Sequence, residues 1–255
     1  MQMISRRSVV GGFALVAASH PVVAEIAEKF SVEAPEGGVG LTRYAAKGLG
    51  KRPGVVVLHG ARGVELKPSA YERHANALTA EGIDAYLLRY YSLADDLALE
   101  KTTTRESREA YRTGRFDAWI GRVSAALTAI LARPDSTGRL GLLGFSLGGY
   151  VAAATAARDD RVSALAVMYG GMPDKIAPQV KRLPPLIELH GEADQNVPLA
   201  RGEELVKLAK AVGAQAELVK YPGKAHGFDF SDSDPMTKDA VNRVAGFFRS
   251  RLNAA

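Results

Sequence analysis

The chain has no cysteine among its 255 residues. Disulfides, cysteine-ligated zinc, iron–sulfur clusters and a thiol nucleophile are therefore all excluded. Internal repeats and low-complexity tracts are also missing, which removes solenoid and fibrous architectures. Beyond one short stretch near the start, no apolar run is long enough to cross a bilayer, so stable membrane insertion is not expected. No block of like charge stands out either. The formal net charge is +5 and the pI about 9.4, but Lys and Arg are interspersed with Asp and Glu. That is the pattern of a solvated mixed surface, and no nucleic-acid partner is expected.

What is present fits one globular domain, with 47% hydrophobic and 24% charged residues at a length that single α/β domains commonly reach. The start differs. Ser5-Arg6-Arg7-Ser8-Val9-Val10 precedes an apolar run from Gly11 to Ala18 and small residues up to Ala24. This order is that of a secretory signal, and the double arginine resembles the twin-arginine export signal of bacteria, which carries folded proteins. Residues 1–24 are expected to be such a signal, directing the protein to the periplasm, with 25–255 as the domain. An amphipathic helix or uncleaved anchor is the alternative. Without Arg6 and Arg7 the balance becomes 31 basic against 28 acidic residues, or +3. A chain that folds in a reducing cytoplasm before export has no use for cysteine pairs.

After a strand or strand pair around Val32 and Leu41 to Ala45, apolar runs alternate with amphipathic ones. The spacing predicts strands at Gly54 to Leu58, Ile83 to Arg89, Arg139 to Gly144, Val162 to Tyr169, Pro185 to Leu189 and Ala216 to Tyr221. Helices are expected over Ser69 to Glu81, Phe116 to Ala132, Leu147 to Arg158, Leu199 to Val212 and Pro235 to Leu252. Continuous apolar strands alternating with helices imply an α/β fold, a mostly parallel sheet covered on both faces. Ligands of such sheets sit at the carboxyl ends of the strands. One polar segment, Ser92 to Arg115, is too long for a simple connection and is expected to be a short helical insertion near the active site, either a lid or a decorated surface segment.

Gly144-Phe145-Ser146-Leu147-Gly148 matches G-x-S-x-G, with an apolar run before it and an Ala-rich run after it. Strand, sharp turn and helix are what a nucleophile elbow requires, and its glycines leave room where a side chain would collide. The bland alternative is a glycine-rich turn with Ser146 as a helix N-cap. A serine hydroxyl needs a base, and the base needs an orienting group. Of five histidines, His20 falls in the signal, and His74 lies in a helix expected at the surface. His59 and His190 each end a strand before a glycine and read as structural residues at the sheet edge. His226 remains, in the loop after the last strand. Asp194 follows the preceding strand and would orient it, with Glu192 as the rival. The chain order Ser, Asp, His is the one used by elbows of this kind. A tetrahedral oxyanion also needs donors: the N–H of Leu147 and, from His59-Gly60-Ala61-Arg62-Gly63, that of Ala61. A plain turn is the alternative for that loop, and with no G-K-[ST] it is not a phosphate loop.

From about Gly54 to Leu252 the chain resembles the dienelactone hydrolase family, through Val55 to Gly63, Gly144 to Gly149, His190 to Asp194 and Tyr221 to Phe228. The resemblance implies an eight-stranded α/β-hydrolase core and the triad Ser146, Asp194 and His226, with Ala61 and Leu147 as oxyanion donors. Ser146 stands where the family proper has Cys, Gly60 where it has a Glu that interacts with that Cys, and Phe230 where it has a substrate-binding Arg. A second such Arg would correspond to Arg105 or Arg108. The expected activity is cleavage of a small carboxylic ester or lactone through an acyl-enzyme, with no cofactor or metal. A peptidase, an acyltransferase or a catalytically silent binding protein are the alternatives. Substrate contacts are expected from Arg62, Arg105, Arg108 and Phe230. The basic residues Lys101, Arg105, Arg108, Arg112 and Arg115 would bias the pocket towards acidic or polar substrates, unless they only form a solvated charged helix partly balanced by Glu106 and Glu109.

Overall fold

A computed structural model describes residues 27–253, so the expected export signal lies outside the described residues. The apolar runs become strands β1 (Glu28–Val32), β2 (Val39–Tyr44), β3 (Arg52–Leu58), β4 (Asp84–Arg89), β5 (Ser136–Phe145), β6 (Val162–Met168), β7 (Leu186–Gly191) and β8 (Ala216–Tyr221). They form one eight-stranded sheet in the order β1-β2-β4-β3-β5-β6-β7-β8. β2 runs antiparallel to both β1 and β4, and every other neighbour is parallel. From β3 the chain goes out to β4 and then returns to β5 on the other side of β3. That reversal opens a crevice at the carboxyl ends of β3 and β5, the place where open α/β sheets hold their ligands.

The β1–β2 hairpin is pinned to the sheet by charge. Asp84, buried at the start of β4, accepts from Arg43 Nε at 3.0 Å and from Arg52 Nε at 2.9 Å.

Helices cover both faces, which is why the central strands read as unbroken apolar runs. On one face lie α1 (Pro68–Ala80) and α6 (Pro235–Leu252), around Tyr71, Leu78, Val244 and Phe248. On the other lie α3 (Arg105–Leu131), α4 (Leu147–Arg158) and α5 (Leu199–Ala211), around Trp119, Leu127, Val151 and Leu205.

Two expectations are corrected. His74 is not on a surface: it sits on the buried side of α1, where its Nε2–H donates to the equally buried Asp229 at 3.2 Å. The segment Ser92 to Arg115 is a helical insertion rather than a surface loop. It forms α2 (Leu93–Lys101) and the first three turns of α3, which begins eleven residues ahead of the expected Phe116. Ser92 and Thr104 cap the two helices, each through a reciprocal capping box. Asp95 then rivets them together. Its buried carboxylate accepts from the Ser92 N–H and hydroxyl, the Tyr111 hydroxyl, Arg115 Nε and Trp119 Nε1 at 2.7–3.1 Å. Burial disfavours its charge, but the hydrogen bonds from Arg115, Ser92 and Tyr111 outweigh that and bring its pKa down to about 2. Farther along α3, buried Arg122 donates to the carbonyls of Tyr90, Pro35 and Gly37 at 2.6–2.8 Å.

Candidate active site

Ser146 joins β5 to α4 with φ +53° and ψ −118°, a conformation that L-residues rarely adopt. The turn closes because its flanks are bare. A Cβ on Gly144 would run into the backbone of Gly148, and one on Gly148 into the carbonyls of Leu58 and His59. Ser146 makes no side-chain cap bond to α4, unlike the N-cap alternative. Its hydroxyl donates instead to His226 Nε2 at 2.9 Å, and His226 Nδ1–H donates to Asp194 Oδ2 at 2.7 Å. The other Asp194 oxygen accepts the N–H groups of Asn196 (2.8 Å) and Val197 (2.9 Å). Glu192, the rival carboxylate, is exposed to solvent, whereas Asp194 is buried. Each member therefore hangs from the carboxyl end of a different strand: Ser146 from β5, Asp194 from β7 and His226 from β8.

Behind the triad are buried polar groups that sequence reasoning did not find. The Tyr169 ring meets the His226 imidazole edge-on at 4.6 Å, and its hydroxyl donates to Asp229 at 2.8 Å. Tyr169 itself has φ +41°, just past β6. His190, read as structural, is fully buried, with Nδ1 2.8 Å from Glu188 and Nε2 2.9 Å from the Val197 carbonyl. Burial pushes the Glu188 carboxyl up. It also works to lower the His190 imidazole, but contact with Glu188 outweighs it and the net shift is upward. Glu188 was hidden inside an apolar strand, where only its spacing from His190 marked it.

The site opens into a cleft of about 1000 Å³. Arg62, Arg105, Arg108 and Phe230 all line it, as do Ala61 and Leu147. Of the other basic residues singled out, Arg112 lines it too. Arg115 is instead held by Asp95 and Glu36, and Lys101 lies outside the lining. Arg201 and Lys175 line the cleft as well, though Arg201 is paired with Asp174. Among the described residues, Arg62, Arg105, Arg108, Arg112 and Lys175 form no ion pair. No group of three or more His, Asp or Glu side chains among the described residues could hold a metal.

The family model of dienelactone hydrolases matches residues 41–252. The chain belongs to the dienelactone hydrolase family. Within curated proteins it is 26% identical over 200 residues to a Methylorubrum extorquens protein whose name assigns it to the carboxymethylenebutenolidases. The match covers 72% of this chain and 61% of that relative, so the chain spans about three fifths of the relative's length. Among solved structures, the dienelactone hydrolase of Anabaena variabilis superposes with a TM-score of 0.71 at 19% identity, over 89% of this chain and 100% of that one. An esterase of the archaeon Pyrobaculum calidifontis gives 0.69 at 20% identity, over 88% and 83%. These likenesses identify the sheet and its helices as an α/β-hydrolase fold.

Proposed function

We propose that this member of the dienelactone hydrolase family hydrolyses carboxylic esters or lactones through an acyl-enzyme on Ser146. The observation that carries the reading is the unbroken hydrogen-bonded chain from Ser146 through His226 to Asp194, at the mouth of a cleft able to hold a small molecule. Family membership supports ester and lactone chemistry. In the first half-reaction the Ser146 proton passes to His226 Nε2 as Oγ bonds to the carbonyl carbon, and Asp194 stabilises the imidazolium. The negative oxygen is met by the N–H groups of Ala61 and Leu147. The first bonds to no described residue, and the second opens α4, where a helix leaves its N–H groups without internal partners. Collapse breaks the bond to the alcohol, which leaves with the proton from His226. Water then repeats the sequence on the acyl-enzyme, releasing the acid and free Ser146. The cations Arg62, Arg105, Arg108 and Arg112 favour esters that carry a negative group. Residues 1–24 would export the folded protein to the periplasm.

Purified protein should cleave short-chain p-nitrophenyl esters, and the Ser146→Ala variant should lose on the order of 10⁴- to 10⁶-fold in kcat. Equal rates from the two proteins would sink the assignment. A fluorophosphonate probe should label wild-type protein at Ser146, whereas a silent binding protein would take up none.

A further inference from the structure

Three residues after β3 form a strap, His59-Gly60-Ala61, that passes beside Ser146, and its backbone is held almost entirely by side chains. The His59 carbonyl accepts from the Tyr90 hydroxyl at 3.1 Å, and the Ala61 carbonyl from the Tyr91 hydroxyl at 3.3 Å. The Gly60 N–H donates to the Tyr71 hydroxyl at 3.1 Å. The Gly60 carbonyl accepts from the His59 ring Nδ1 at 2.8 Å and from the Gly63 N–H at 3.1 Å. The N–H of Ala61 has no partner among the described residues.

We propose that His59 is a positioning residue of the oxyanion hole, its ring Nδ1–H holding the Gly60–Ala61 peptide so that the Ala61 N–H faces the reacting carbonyl oxygen. The inference rests on the esterase reading above. Its mechanical basis is the planar trans peptide: the carbonyl of Gly60 and the N–H of Ala61 belong to one rigid unit and point in opposite directions, so fixing one aims the other. Glycine gives this unit unusual freedom to turn, and an external clamp removes that freedom.

The clamp itself is packed in place. His59 is fully buried, stacked on Tyr90 with centroids 4.2 Å apart and planes 11° apart, and met edge-on by Tyr91 at 4.9 Å. The two rings that cage it are those whose hydroxyls hold the neighbouring carbonyls, so strap and cage form one unit. The tautomer is fixed as well. A carbonyl can only accept, so Nδ1 carries the proton, and buried Nε2, which has no partner, is left with a lone pair rather than an unsatisfied N–H. Burial lowers the ring's pKa to about 4, which keeps it neutral near pH 7.

Hydrogen bonds to an oxyanion matter most when charge has developed, so a badly aimed Ala61 N–H should slow turnover and leave substrate binding intact. Deleting a whole oxyanion donor costs roughly 10²- to 10³-fold in kcat. Loss of its aim in His59→Leu should cost about 10- to 100-fold, with KM nearly unchanged. Affinity for a trifluoromethyl ketone, which forms a tetrahedral adduct with the serine, should fall by the same factor. His59→Asn places an amide N–H where Nδ1 was and should recover most of the loss.

The proposal is overturned if folded His59→Leu keeps the wild-type kcat, if its loss lies in KM, or if His59→Asn is as slow as His59→Leu. Should His59→Leu fail to fold, His59→Gln decides, since its amide reaches the place of Nε2 and leaves that of Nδ1 without a donor. Parallel falls in kcat and ketone affinity then support the proposal, and an unchanged kcat overturns it. A wild-type protein that cleaved no ester and took up no fluorophosphonate would overturn the esterase reading and this one with it. An active wild type beside an unaffected His59→Leu overturns this one alone.

Discussion

Asp194 accepts from three N–H groups at once, those of Asn196 and Val197 on one oxygen and the His226 ring on the other. That division predicts what Asp194→Asn would do. The two backbone donors would keep the amide oxygen on their side and turn its NH₂ towards Nδ1. His226 would then carry its proton on Nε2, the atom that receives the Ser146 proton in the proposed mechanism. A fall on the order of 10⁴ in kcat with the fold retained is expected, read by ester turnover beside the melting temperature. Ser146 was legible because a strained elbow needs glycine at fixed positions, and Gly144 and Gly148 can be read as letters. Asp194 and His226 were legible by chain order. The clamp on Gly60 was not, because a ring N–H reaching the next residue's carbonyl leaves no pattern in the sequence. His74 could have been placed: Ala70, Tyr71, His74, Ala75 and Leu78 share one face of α1, and that face is the buried one.

The α2–α3 segment shows why polar elements are harder to read than apolar ones. Its first turns bury little of their own surface, and a carboxylate replaces the usual apolar anchor. Asp95 has a folded-state pKa of about 2 against an ordinary 3.8, so its charge stabilises the fold by about 2 kcal/mol at neutral pH. A lowered pKa means that this contribution is complete above about pH 4 and is lost as pH falls towards 2. Asp95→Asn should therefore unfold at lower urea concentration than wild type at neutral pH, with the gap narrowing on acidification. A gap independent of pH would mean that the carboxylate charge is not what rivets the helices. On the cleft side of α3, Arg105, Arg108 and Arg112 are spaced three and four apart along one helical face. Changing Arg105 and Arg108 together to Ala should raise KM for anionic esters several-fold and leave neutral esters unaffected, since each removed cation acts only on charge. Equal effects on the two substrate types would refute the selectivity.

At the scale of the whole molecule, the alternation of apolar and amphipathic runs was enough to foresee the layers, and the structure adds the order in which the strands lie. That order is what brings the loops after β3 and β5 together at the reversal point. No helix among the described residues is long and apolar enough to cross a membrane. Export is a separate matter, testable on the whole chain: in a bacterium with a twin-arginine system, Arg6→Lys with Arg7→Lys should keep the protein in the cytoplasmic fraction. Periplasmic recovery of that variant would exclude the twin-arginine route.

Ser146, His226, Asp194 and both proposed oxyanion donors all hang from the sheet, whereas three of the arginines without an ion pair belong to the one detour between β4 and β5. Reactivity and discrimination thus have separate addresses in the chain. A lineage of such proteins can change diet by rewriting residues 92–115 while the reacting atoms stay where the strands put them.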